Sequence, residues 1–283
     1  GIGTMHLGDR KDGAGVVLFV NPESNSGRGE KVLRKVQRAM PEVRVVRLKQ
    51  GTDWRDVIRE GAADAEIIAV AGGDGTIRMG AMVALELDKP LAVIPAGTFN
   101  HFAKDVGVYP LKVAIRSIQR GTAVKVDVGY VNVGLFINTA SVGAYTDFVR
   151  IREKIQKRVG KPIAAVIASI RTLRDKRAMR IHVDDSEREV SLLFLGNGQY
   201  VPQGFAPSMR SKLDDGIADL RLLNLTSGIT RWKAIFALVT GRLAGSPYYQ
   251  VTSAAELDID LLDGPQRIAR DGEVGELVEH LHV

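Results

Sequence analysis

The sequence has no cysteine, which excludes disulfides, thiolate nucleophiles and cysteine-based zinc sites. No apolar run approaches the roughly 20 residues of a membrane-spanning helix, and no signal peptide is recognisable; a cytosolic location fits. The five histidines, His6, His101, His182, His280 and His282, include no i,i+4 metal pair. The last two flank Leu281 in a strand-like tail. There is no Gly-Lys-Ser/Thr, hence no Walker loop, and no G-x-G-x-x-G opens the first helix. Aromatic residues are not interleaved with basic ones and no nucleic-acid motif occurs, so nucleic acid is not an expected partner. Internal repeats and low-complexity tracts are also missing.

What remains is a chain of 283 residues, 45% hydrophobic, long enough for a sizeable core and two domains. Its net charge of +6 is unevenly placed. Residues 150–180 hold eleven Lys/Arg and two acids, a local +9. That stretch reads either as a solvated face or as an element that meets anionic lipid at a membrane surface.

Ile67-Ile68-Ala69-Val70-Ala71 is an apolar run typical of a strand buried on both faces. It enters Gly72-Gly73-Asp74-Gly75-Thr76, and apolar residues then follow at helical spacing. A strand, a glycine turn and a helix start place backbone N–H groups and a helix dipole against phosphate. Asp74 would repel phosphate directly, but suits a divalent cation held between the two. An ordinary βα turn with an Asx cap is the plainer alternative.

Other strands lead the same way. Residues 15–20 end in Asn21-Pro22-Glu23-Ser24, a helix covers 31–40, and 43–48 form a second strand. Thr52 or Asp53 caps a helix through Ala62, and 91–94 form a strand closed by Pro95-Ala96-Gly97-Thr98. This alternation implies a doubly wound, mostly parallel sheet, whose ligands bind at the carboxyl ends of strands. The phosphate grip would then use backbone amides at 72–76 and Gly97, the hydroxyls of Ser24, Thr76 and Thr98, and the amides of Asn21 and Asn100. After about residue 122 the texture becomes strand after strand: 124–131, 135–140, 179–183, 190–196, 218–225, 250–262 and 266–270. These suggest a β-sandwich-like domain with helical insertions near 142–176 and 230–243. The expected division is a disordered leader at 1–13, a nucleotide-binding α/β domain at 14–127, and a β-rich domain at 128–283. The last ten or so residues are candidates to return to the first domain.

Several motifs together resemble one family. Gly72-Gly73-Asp74-Gly75-Thr76 is shared by diacylglycerol kinases, sphingosine kinases, NAD kinases and, more distantly, phosphofructokinases. Asn21-Pro22-Glu23-Ser24 with Gly27 and Gly29, and Pro95-Ala96-Gly97-Thr98-Phe99-Asn100-His101-Phe102-Ala103, are similar to loops of the soluble bacterial diacylglycerol kinase/YegS-like lipid kinases. So are Val126-Asp127-Val128-Gly129 with Asn132, Gly196-Asn197-Gly198-Gln199-Tyr200, Leu213-Asp214-Asp215-Gly216 and Asp271-Gly272-Glu273. His101 departs from the pattern, since many relatives carry Asp there.

The resemblance implies an NAD kinase-like first domain and transfer of the ATP γ-phosphate to a lipid hydroxyl with Mg²⁺. It implies Asp74 and Asp127 as water-mediated metal holders, and Asp271 as general base with Glu273 as its substitute. It also implies a structural magnesium on Asp215 and the carbonyls of Lys212 and Ile217. Asp271-Gly272 by itself reads as a hairpin turn. The implied partners are a lipid substrate and, peripherally, an anionic membrane surface; a homodimer is compatible. The rivals are an NAD kinase-like enzyme acting on a soluble nucleoside, and a non-catalytic lipid- or nucleotide-binding regulator.

Overall fold

The computed structural model describes residues 4–97, 100–143, 178–197, 215–224 and 249–283. It divides into two units, 1–126 and 127–283.

The first unit contains β1 (Thr4–His6), β2 (Val16–Val20), α1 (Ser24–Ala39), β3 (Arg44–Arg47), α2 (Trp54–Gly61) and β4 (Ile67–Gly72). It continues with α3 (Asp74–Leu87), β5 (Leu91–Pro95), α4 (His101–Asp105), α5 (Leu111–Arg120) and β6 (Thr122–Val124). Strands β3, β2, β4 and β5 lie in that order in one parallel sheet. Alternate residues of the two central strands serve opposite layers, as a pleated sheet requires. Val16, Leu18, Val20, Ile67, Ala69 and Ala71 pack with Leu33 and Val36 of α1, Met40 just beyond its end, and Ile118 of α5. On the other face Gly61 of α2 lies on the Phe19 ring, and Gly80 of α3 lies on Val70, with no room for a methyl group at either glycine. Helices therefore cover both faces. Asp53 is the cap of α2, its carboxylate accepting from Asp56 N at 3.2 Å.

The leader is not disordered over its described part. Strand β1 pairs with β6, and Leu7 N and Arg10 N donate to the carbonyls of Gly121 and Gln119. These backbone bonds hold a segment whose composition lacks any period.

The second unit runs through β7 (Gly129–Val131), β8 (Gly134–Phe136), β9 (Thr139–Gly143), β10 (Met179–Val183), β11 (Ser186–Val190) and β12 (Leu192–Asn197). It ends with β13 (Ala218–Leu223), β14 (Tyr249–Ala254), β15 (Asp258–Leu261), β16 (Gln266–Arg270), β17 (Glu273–Val278) and β18 (His280–His282). A six-stranded sheet, ordered β14-β13-β12-β9-β16-β17, faces a four-stranded one, β11-β10-β15-β18, and every pairing is antiparallel. Leu193, Leu195, Leu220, Leu222 and Ile268 of the first share one apolar cluster with Ile181, Val183, Ile259 and Leu281 of the second. That is a β-sandwich core.

Three long expected strands are each broken in two. Residues 125–128 separate β6 from β7, and 137–138 separate β8 from β9. The 250–262 run breaks at 255–257, where the chain crosses from one sheet to the other. The expected helical insertions lie outside the described residues, apart from Val142 and Gly143 in β9. Among the described residues no helix is long and apolar enough to cross a membrane.

The C-terminal strand stays in the second unit and does not return to the first. Strand β18 pairs with β15, and His282 N donates to Asn132 Oδ1. His280 sits between Asp260 at 2.6 Å and Asp258 at 3.2 Å, and Asp258 also meets His282 at 2.9 Å. The Asp260 hydrogen bond, with help from Asp258, raises the His280 pKa above its ordinary 6.5. The His282 hydrogen bond, with help from His280, lowers that of Asp258. A raised histidine pKa stabilises the fold fully below pH 6.5 and ceases to do so as pH rises through the raised value. His280→Gln is therefore expected to lower the melting temperature slightly near pH 6 and less above about pH 8, since exposed pairs contribute only about 0.2–1 kcal/mol. Melts across that range would show it, and an equal loss at both ends would remove the ionic account.

Candidate phosphate-binding site and carboxylate cluster

Three loops follow the carboxyl ends of parallel strands in the first unit, and hydrogen bonds tie them together. Asn21 N donates to Ala71 O at 3.1 Å, and Ser24 Oγ donates to Ala96 O at 3.2 Å. Gly73 and Gly97 touch back to back: a Cβ on Gly97 would lie 2.3 Å from Gly73 Cα. Only glycine lets the two backbones approach so closely. Gly29 has the same role at the first loop, where a Cβ would collide with the Asn21 carbonyl.

Gly73 is the N-cap of α3, and Asp74, Gly75 and Thr76 form its first turn. The N–H groups of such a turn have no acceptor within the helix and aim at whatever lies beyond it. Thr76 is buried against Gly72, where a Cβ would lie 2.7 Å from the threonine side chain. Asp74 does more than its turn position suggests. Its Oδ1 accepts from Phe102 N at 3.1 Å and its Oδ2 from His101 N at 3.2 Å. It thus caps α4 from another loop.

Two expected contact residues have side chains bonded within their own loops. Asn100 is 3% exposed, in the left-handed region at φ 54°. Its Oδ1 accepts from Gly97 N and its Nδ2 donates to Gly97 O, at 2.8 and 2.9 Å. The amide therefore shapes the loop rather than facing a ligand. Asn21 Oδ1 accepts from Glu23 N, an Asx turn, and Asn21 O accepts from Ser24 N. Thr98 lies outside the described residues. Gly97→Ala is expected to separate the two glycine loops and remove nucleotide binding, because the obstacle is backbone and cannot rotate away. Calorimetric titration with ATP would test it; retained affinity would show that the loops can part harmlessly.

The second unit gathers a separate set around residues 137–139. Asp271 and Gly272, at φ 50° and 85°, make the two-residue turn between β16 and β17. The hairpin reading of the sequence is thus correct for the backbone. The Asp271 carboxylate accepts three backbone N–H groups: Ile137 at 2.9 Å, Asn138 at 2.7 Å and Thr139 at 3.1 Å. Asp271 N donates to Thr139 O. Asn197, 6% exposed, donates from Nδ2 to the carbonyls of Asp127 and Ile137, and from N to Asn138 O. Asp127 Oδ2 accepts from Gly216 N at 2.7 Å, and Asp215 Oδ1 accepts from Ile217 N at 3.2 Å. Asp271 directly, and Asp127 through Asn197, are thereby linked to residues 137–139, while Asp215 adjoins Gly216, the donor to Asp127. Glu273 is exposed at the start of β17. Lys212 lies outside the described residues.

Sequence reasoning missed Asn138, which is buried and central to this cluster. Its only signal was one amide inside the apolar run Leu135-Phe136-Ile137-Asn138. Among the described residues no group of three or more His, Cys, Asp or Glu converges on a metal position. A cation here would have to complete its shell with water and phosphate oxygens, as Mg²⁺ commonly does.

In open α/β sheets ligands bind at the carboxyl ends of the strands, and here that edge carries the joined glycine loops. Residues 15–131 match the family model described as the diacylglycerol kinase catalytic domain. It is 26% identical over 271 residues to a diacylglycerol kinase of Bacillus subtilis (strain 168), covering 89% of this chain and 88% of that one. It is 27% identical to a Pseudomonas aeruginosa protein named "Probable lipid kinase YegS-like", over 74% of each. The solved structure of a diacylglycerol kinase from Bacillus anthracis str. Sterne shares the fold, with a TM-score of 0.68 at 24% identity over 94% of this chain and 92% of that one.

Proposed function

We propose that the protein transfers the γ-phosphate of ATP to a hydroxyl of a diacylglycerol-like lipid, with Mg²⁺. The observation that carries this reading is the joining of the three polar loops at the strand ends, in the stretch that matches the diacylglycerol kinase catalytic-domain model. Loose phosphoryl transfer asks a protein mainly for positioning and charge stabilisation. The first-turn amides of α3, beside the Gly73–Gly97 contact, are the proposed donors to phosphate. Asn100 and Asp74 hold the loop after β5 beside that turn. Bound Mg²⁺ would neutralise charge on the transferring phosphoryl group. Asp74 and Asp127 are the residues proposed to hold it.

Asp271 is proposed to meet the acceptor hydroxyl. Three donated N–H groups suit an anionic carboxylate, fixed in place by backbone. In a loose transition state the hydroxyl proton leaves late, so such a carboxylate chiefly orients the nucleophile. Asp215, with carbonyls of Lys212 and Ile217, is the proposed structural magnesium site.

The test is incubation with ATP and Mg²⁺ on a total lipid extract and, separately, on NAD. A lipid carrying one added phosphate, identified by mass, is the expected product. Phosphorylated NAD and no lipid product would assign the protein to soluble nucleoside substrates instead.

A further inference from the structure

The two helical layers of the first unit carry charge in opposite ways. On the α2–α3 side cations are matched: Arg59 meets Asp56 and Glu86, Arg55 meets Glu86, and Lys89 donates to the carbonyls of Ala62 and Ala63. On the α1–α5 side they are not. Helix α1 exposes Arg28, Lys31, Arg34, Lys35 and Arg38, and α5 exposes Lys112, Arg116 and Arg120. None of these eight makes an ion pair or side-chain hydrogen bond among the described residues. The one acid on either helix, Glu30, is taken by Arg47 at 3.2 Å. Glu23 and Glu42 lie beyond the two ends of α1.

The two helices form one layer. Leu33, Val36 and Met40 share an apolar cluster with Ile118, and Gln119 Nε2 donates to Ala39 O. Their outward residues repeat at helical spacing, so like charges stack: Lys31 on Lys35, Arg34 on Arg38, and Lys112 on Arg116 on Arg120. Such i,i+4 pairs destabilise a helix in water, and a merely solvated face avoids this by mixing signs, as α2 and α3 do. An external anionic surface would reverse the sign of this effect.

We propose that the α1–α5 face is the surface by which the protein adsorbs to an anionic bilayer, its exposed cations lying against lipid phosphates. The inference rests on the lipid-kinase reading for its choice of partner. Asn25, Ser26 and Gly27 are non-helical, so the regular part of α1 and the whole of α5 run for about 18 and 15 Å along the layer. Neither contains an aromatic residue, which withholds the stacking that single-stranded RNA recognition uses. The large apolar side chains of α1 and α5 are buried or half-buried, so adsorption is electrostatic rather than insertive and must be sensitive to salt.

The experiment is co-sedimentation of the full chain with vesicles of phosphatidylcholine alone, or mixed with phosphatidylglycerol, across a salt series. Two variants remove four of the five α1 cations and all three of α5: K31Q/R34Q/K35Q/R38Q and K112Q/R116Q/R120Q. Each is expected to lower the partition coefficient onto anionic vesicles at least about tenfold and to flatten its salt dependence. R55Q/R59Q, on the ion-paired layer, should leave binding unchanged. The proposal is overturned by wild-type binding in either folded variant, by equal binding to neutral vesicles, or by preference for RNA added in competition. Should one variant fail to fold, the other and the wild-type salt series still decide. Turnover on a short-chain lipid free in solution should persist in both variants. Vesicle binding without turnover of any lipid by the wild type would remove the kinase reading and leave the surface standing.

Discussion

An Asp74→Asn variant is expected to lose more than about a hundredfold in kcat, because a metal at the transferring group supplies several kcal/mol and about 1.4 kcal/mol is tenfold. The substitution keeps the shape of the side chain and removes its charge. It is not structurally silent, since Asp74 accepts from both His101 N and Phe102 N. Asparagine has one oxygen, so one of these bonds is lost and the stability should fall by about 1 kcal/mol. Asp74→Ala would lose both caps as well as the charge, and should be the less stable of the two. Measuring kcat, ATP affinity and melting temperature on both variants separates the roles. Turnover near wild type in a folded Asp74→Asn protein would remove Asp74 from the proposed metal site.

Asp271→Asn should lower kcat by about 10²- to 10⁴-fold, the usual contribution of a positioned acid–base group. ATP affinity should change little. The structure adds a second effect. Three N–H groups converge on the two carboxylate oxygens. An asparagine would turn an NH₂ toward at least one of them, leaving a buried donor unpaired at about 1–3 kcal/mol. The backbone itself should tolerate the change, because Asn accepts the left-handed conformation that residue 271 adopts. Glu273→Gln, at an exposed position, should affect both quantities less. A destabilised Asp271→Asn protein that keeps its turnover would leave Asp271 as the keystone of a hairpin and nothing more.

The fold was legible where burial imposed a period. Val16–Val20 and Ile67–Gly72 are buried along their whole length, and such runs mark central parallel strands. The glycine loops were legible for a related reason, since a backbone contact such as Gly73 on Gly97 leaves a gap in side-chain chemistry that a sequence displays. Other features depended on partners distant in the chain. Nothing local in Thr4–His6 indicates a strand; its partner is Thr122–Val124. The 250–262 run reads as continuous because both halves alternate, yet its halves belong to different sheets. For the same reason the structural roles of Asn100 and Asp74 were not legible: Asn100 closes its own loop and Asp74 caps α4. Residue type showed that these positions matter, and only geometry showed which groups their side chains meet. Asn138 and Asn197 were invisible as a pair because 59 positions, from 138 to 197, separate them.

The central claim is that the terminal phosphate of ATP ends on a lipid hydroxyl. It is tested most directly by incubating the protein and Mg²⁺ with a total lipid extract and ATP labelled at either the γ- or the α-phosphorus, then extracting into organic solvent. The account predicts organic-phase label from γ-labelled ATP alone, absent in Gly97→Ala and strongly reduced in Asp74→Asn. Label that stays wholly in the aqueous phase, or that enters the lipid from the α-position, would contradict it.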